Sequence, residues 1–243
     1  MKINSLAMVA GICAASLTSA LGTTSVTTFG SLPGETFGGT GIPNDAVKIV
    51  TTSGVGPNGS TVITEGLTAT PRFTPGELAN NGAGTFTVGT GVQWNFDFVA
   101  SIAGGGDLST YTFKLYYDLD PAIGTSMANL GVWNLNAGAN PTDTSVHNSE
   151  FMGFSFLATG FPGAVTPPPG GLTYDINAPG EYTFILGTYD VTGAQVGALD
   201  TINVDVKSAP DVTSTAGLLA ISAFGLFFAK KHVAKRRFAS VKA

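Results

Sequence analysis

Cysteine is almost missing from this 243-residue chain: the only one, Cys13, lies near the N-terminus. A lone thiol closes no intrachain disulfide and builds no thiolate metal cluster. Histidine is nearly as scarce, with two residues, of which only His147 falls between the terminal segments. Charged side chains make up 11%, under half the usual quarter, and the formal net charge is −5. A nucleic-acid binder would be basic, so this balance speaks against that class. The Ala, Glu, Lys and Leu enrichment of long helices and coiled coils is also lacking. At 43% hydrophobic residues with 16 Phe, the chain is too apolar for charge-driven disorder. Glycine is plentiful, at 33 residues beside 13 Pro. That composition describes short strands punctuated by turns.

Both ends carry targeting patterns. Lys2 is followed by an apolar run from Leu6 to Leu17, then by the small residues Thr18, Ser19 and Ala20. This is the layout of a secretory signal, with cleavage expected after Ala20. It implies export through the Sec translocon and a signal peptidase. Ile12 precedes Cys13 where a lipoprotein signal needs a small residue, so lipidation is not expected. The mature chain then has no cysteine. An exported domain without disulfides fits a bacterium better than the small secreted domains that depend on them. At the other end, Val212 to Ala229 are uncharged, and the basic residues Lys230, Lys231, Lys235, Arg236 and Arg237 follow. Eighteen helical residues rise about 27 Å, just enough for a bilayer core of about 30 Å. Leu218, Leu219, Ile221, Phe224, Leu226, Phe227 and Phe228 would cover every face of that helix, as in a membrane span. The basic tail stays inside and the rest of the chain outside.

The C-terminal arrangement resembles the PEP-CTERM family of bacterial sorting signals, closest to its Val-Pro-Asp-Ser-Gly variant. Pro210, Asp211, Ser214 and Thr215 match that pattern in position, whereas Ala209, Val212 and Thr213 depart from it. The stretches Phe37–Val47 (FGGTGIPNDAV) and Ala178–Phe184 (APGEYTF) are similar to ectodomains of the same family. The resemblance implies insertion in the inner membrane and recognition by an exosortase, a membrane cysteine protease or transpeptidase. Cleavage near Pro210 and Asp211 and transfer to the cell surface or the exopolysaccharide matrix would follow. No general biochemical activity comes with the family.

Between these ends the reading is an all-β ectodomain over residues 21–208, flanked by a signal peptide at 1–20 and a sorting segment at 209–243. It holds fifteen acidic residues against Lys48, Arg72, Lys114 and Lys207, a balance of −11 that repels polyanions. Alternation marks the strands. Val92, Trp94, Phe96 and Phe98 share one face, with Gln93, Asn95 and Asp97 on the other; Tyr111, Phe113, Leu115 and Tyr117 alternate likewise, as do Ile202, Val204 and Val206. Further strands are expected at 46–52, 60–69, 84–88, 130–135, 151–158, 172–176 and 181–189. Pro179 to Gly193 reads as a β-hairpin. Ten short strands suit one antiparallel β-sandwich, Ig-like or jelly-roll-like, with two subdomains as the alternative.

The chemistry-bearing patterns are few. Gly124 to Ala128 approaches a nucleophile elbow but ends in Ala and has no strand–helix setting. His147 reads as a solvated loop residue, and no spacing selects a carboxylate pair for hydrolysis, so no enzyme is expected. Asp118 and Asp120 share one side of a strand end: they form either a Ca²⁺ site or an acidic turn that caps backbone amides. No other cofactor is expected. Among the aromatics, Trp133 is the candidate for stacking on a sugar, with core packing as the alternative. The reading is an exported, non-enzymatic surface or matrix protein with a structural or adhesive role. Its rivals are a carbohydrate-binding module, with exopolysaccharide as partner, and a permanently anchored single-span protein.

Overall fold

The computed structural model describes residues 22–38 and 42–208. The expected signal peptide with Ala20, the sorting residues Pro210, Asp211, Ser214 and Thr215, the apolar segment 212–229 and the basic tail Lys230 to Arg237 lie outside the described residues. Among the described residues, no helix is long and apolar enough to cross a membrane.

Twelve strands form two sheets. They are β1 (Thr24–Gly30), β2 (Val47–Val55), β3 (Thr61–Pro71), β4 (Ala79–Asn80), β5 (Thr85–Gly89), β6 (Trp94–Ala103), β7 (Tyr111–Tyr117), β8 (Gly131–Asn134), β9 (Ser145–Phe151), β10 (Val165–Thr166), β11 (Gly180–Asp190) and β12 (Gln195–Lys207). One sheet has the order β1-β2-β3-β6-β9; the other has β10-β8-β7-β11-β12-β5-β4. Pairing is antiparallel except between β5 and β12, which run parallel. The expected antiparallel pairing thus holds but for this one pair, whose strands are not joined by a hairpin: more than a hundred residues separate β5 from β12. A five-residue helix, α1 (Ser155–Thr159), and a 3-10 turn at Met127–Asn129 complete the elements.

The period-2 alternation puts apolar side chains of both sheets into one continuous core, so the two-subdomain alternative falls. Trp94, Phe96, Leu67 and Ile63 from the five-stranded sheet meet Phe113, Leu115, Phe184 and Val204 from the other, and all are buried. The aromatic centre is ordered by geometry as well as by area. Phe96 stacks on Phe184 at 4.8 Å, and Trp94 meets Phe184 edge-on at 5.9 Å. The indole also donates from Nε1 to the Tyr174 hydroxyl at 2.9 Å, which satisfies its one polar atom.

Several expectations are corrected. Residues 151–158 are not one strand: β9 ends at Phe151, Gly153 intervenes and α1 begins at Ser155. Residues 172–176 form no strand, because Tyr174 turns inward to cover Trp94. Val92 is exposed and precedes β6, whereas Asp97, placed on the polar face, is fully buried. The reason is a second layer. Residues 31–38 and 42–46 lie on the outer face of the five-stranded sheet, where Phe37 and Leu32 pack on Val47, Ile49 and Val99. Asn44 pins this strap, accepting from Leu32 N at 2.7 Å through its carbonyl and donating from Nδ2 to Leu32 O at 3.2 Å. Gly66 makes the strap fit: a Cβ there would stand 2.9 Å from Leu32 Cδ2.

Candidate functional site

Asp118 and Asp120 follow β7 directly. Asp118 is buried, and its Oδ1 accepts from Asp120 N at 2.8 Å; Asp120 Oδ1 accepts from Ala122 N at 3.0 Å. Glu181, at the start of β11, accepts from Gly124 N at 3.4 Å and from Asn203 Nδ2 at 3.3 Å. Burial raises the Asp118 pKa, and the nearby charges of Asp120 and Glu181 push the same way. The carboxylates thus cap backbone amides, as an acidic turn does. Among the described residues, no group of three or more His, Cys, Asp or Glu side chains is arranged to hold a metal ion.

Trp133 lies within β8 and is half-buried. Its ring meets Phe98 and Phe156 edge-on, each at 5.5 Å, so it packs against the core from the side. A cavity of about 460 Å³ nearby is lined by Val132, Asn134 and the 159–167 loop, without Trp133. Of the other ring candidates, Trp94 is buried, Tyr174 covers it, and Tyr116 and Tyr189 share a hydroxyl–hydroxyl hydrogen bond at 2.8 Å. His147 sits on edge strand β9, not in a loop. Its Nδ1 lies 2.8 Å from Thr36 O and 2.9 Å from Thr36 Oγ1, which ties the strap to the sheet.

Two features escaped the sequence reading. The first is an acidic pair between the sheets. Glu65 on β3 accepts from Thr188 Oγ1 of β11 at 2.8 Å, and burial lifts its pKa to about 8. Asp200 on β12 is fully buried with neither carboxyl oxygen hydrogen-bonded; burial and the Glu65 charge raise its pKa well above the usual carboxylate range, and Lys48 on β2 opposes this. With its pKa at about 8, Glu65 is mostly neutral at pH 7, and burial disfavours the charged form of Asp200 in the same way.

The second lies on the outer face of the five-stranded sheet, where β3, β6 and β9 end beside the strap. The register aligns Thr70 with Asn95 and Phe151, and Thr68 with Asp97 and Ser149. Thr70 Oγ1 donates to Asp97 Oδ2 at 2.8 Å, and burial raises the Asp97 pKa to about 7. The next residue after β3, Arg72, places its guanidinium carbon 4.2 Å from the Phe151 ring centroid, 4.8 Å from Phe73 and 5.0 Å from Phe154. Beside this cluster is a cavity of about 270 Å³ lined by Ile42, Pro43, Thr70, Pro71, Phe73 and Asn95 among others, with Asn95 and Thr70 as its polar floor. A signal was present in the sequence: Arg72 is the only arginine before Arg236, and it sits between Pro71 and Phe73 in an otherwise acidic region.

No protein-family model matches this chain, and no curated protein does either.

Proposed function

We propose that this is an exported, non-enzymatic surface or extracellular-matrix protein of a bacterium. In this reading its sandwich, of Ig-like or jelly-roll-like type, is the structural and adhesive part. The chain enters the envelope through the signal peptide ending at Ala20. It pauses in the inner membrane by the segment 212–229, and an exosortase-like enzyme then cuts it near Pro210 and Asp211. The observation that carries the reading is the pairing of a secretory pattern at one end with Pro210-Asp211, an uncharged run and a basic tail at the other. Support comes from the folded part as well. The last strand, β12, ends at Lys207, so a cut at 210–211 removes no residue of a described strand.

The test is the intact mass of the protein taken from membranes and from the extracellular matrix of its native cells. A matrix species beginning near Leu21 and ending between Ala209 and Asp211 is the expected result. The Asp211→Ala variant should accumulate at full length in membranes. If the native protein occurs only in membranes and keeps Lys230 to Ala243, the chain is a permanent single-span anchor and the sorting reading falls.

A further inference from the structure

Six buried side-chain atoms lack a hydrogen-bond partner among the described residues, and three of them cluster at this end of the sheet: Arg72 Nη1, Asn95 Oδ1 and Asp97 Oδ1, of which Asn95 lines the cavity. Unpaired buried polar atoms are exceptions in folded proteins, and a cluster of them calls for a reason. These three lie on neighbouring rungs of one sheet face. Arg72 N donates to Gln93 O at 2.9 Å, one rung beyond the Thr70–Asn95 pair, and Asp97 lies one rung behind it. One is a charged donor and two are acceptors. Asp97 fixes the Thr70 hydroxyl, so the Thr70 oxygen keeps lone pairs free.

The wall of the same cavity contains the second anomaly. Phe73 has φ 65°, the only positive φ at a non-glycine residue among those described, and it is 82% exposed. A bulky residue in the left-handed region is strained, and here no burial offsets the strain. Strain and an exposed ring thus coincide beside Asn95 Oδ1, a buried amide oxygen without a partner.

We propose that this cavity is a subsite for one neutral sugar ring of a polysaccharide. Phe73 covers an apolar C–H face of the ring, and Asn95 Oδ1 and Thr70 Oγ1 accept from adjacent hydroxyls. The size supports a single ring: about 270 Å³ lies just below the range of about 300–1,000 Å³ typical of pockets for drug-sized ligands. The charge excludes the rivals. A polyanion meets a domain at −11, and the residues lining the cavity carry no charged side chain to hold an ion of either sign. A purely apolar ligand would leave the floor unpaired. The inference rests on the adhesive part of the proposed function. Terminal processing is read by mass, so normal processing without sugar binding would overturn this inference alone.

The experiment is saturation-transfer NMR on the full chain in zwitterionic detergent. The probes are the methyl glycosides of glucose, galactose and mannose and a neutral glucan. Transfer to the ring protons of at least one glycoside is expected, with a Kd on the order of 1 mM. Binding should weaken at least tenfold in Phe73→Ala and Asn95→Leu and stay unchanged in Trp133→Ala and Val191→Ala. Phe73→Gly should lose binding while its Tm rises, because glycine relieves the strained backbone. A merely structural role for Phe73 would not give that combination. The proposal is overturned if no probe receives saturation, if Phe73→Ala binds normally, if Trp133→Ala abolishes binding, or if Phe73→Gly lowers the Tm.

Discussion

Replacing Glu65 by glutamine should change how stability depends on pH, and the size of the change follows from where Glu65 sits. Its carboxyl faces the space between the sheets with Asp200 of β12, Thr188 and Tyr189 of β11 and Lys48 of β2 around it. In the folded state its pKa is about 8, against 4.5 when it is free in water. The folded chain therefore binds more protons than the unfolded one between these values, and stability falls as pH rises through that window. Below pH 4.5 the Glu65 contribution is complete, and above about pH 8 it is fully lost. At 1.36 kcal/mol per tenfold change in the proton equilibrium, the loss is about 5 kcal/mol. That is a large part of the 5–15 kcal/mol that holds an ordinary domain together. Glutamine keeps an oxygen for the Thr188 hydroxyl and carries no ionisable proton. Urea unfolding of wild type and Glu65→Gln, followed by fluorescence of the buried Trp94 between pH 5 and 9, measures the difference. The two should have similar stability at pH 5, and the variant should be ahead by several kcal/mol at pH 9. Asp97 shifts the same way in both proteins, whereas Asp200 feels the Glu65 charge, so the difference reads Glu65 together with its coupling to Asp200. A constant difference across the range, or a wild type that gains stability from pH 5 to 8, would refute the reasoning.

Two further outcomes are expected. Gly131→Ala should lower the Tm by several degrees: a Cβ at Gly131 would collide with the Tyr117 ring, which is fixed by its hydroxyl donating to Leu157 O at 2.7 Å. Overpacking of this kind costs about 1–3 kcal/mol, and differential scanning calorimetry reads it directly. At the Asp118 turn, Ca²⁺ or a chelator should leave the Tm unchanged, because both carboxylates already accept backbone amides. A rise with Ca²⁺ that disappears in Asp118→Asn would favour the Ca²⁺ site over the amide-capping turn.

Legibility in the sequence followed the physics of one-sided strands. Tyr111 to Tyr117, Trp94 to Phe98 and the hairpin from Pro179 to Gly193 were readable because each shows alternation or turn chemistry within its own residues. β1 and the first part of β9 were not readable, since Thr24–Gly30 and Ser145–Glu150 are mostly polar edge strands with little to bury. Asp97 was misplaced because a strap more than fifty residues earlier covers its face, and no local pattern reports a second layer. Asp200 escaped for a related reason: its position fits the alternation of Ile202, Val204 and Val206, but an acid there reads as a break in the pattern. The candidate sugar site depends on register, which brings Arg72, Asn95 and Ser149 together only when β3, β6 and β9 pair.

The two parts of the functional reading meet at one end of the sandwich. β12 leaves the sheet at Lys207, whose carbonyl accepts from Thr90 N at 3.0 Å. Three residues later the chain reaches Gln93, the partner of Arg72 N at the floor of the cavity. Three residues of chain reach at most about 10 Å, and the four from 208 to 211 can reach no further than about 14 Å. On the proposed reading, an unprocessed chain would therefore hold the Arg72–Phe73 corner within a few nanometres of the bilayer surface, where a polysaccharide strand has limited access. Cutting at Pro210–Asp211 removes that tether and leaves every described strand intact. Sorting and adhesion are then not independent attributes of a passive domain: the same cleavage that frees the protein would open the face on which Phe73 stands.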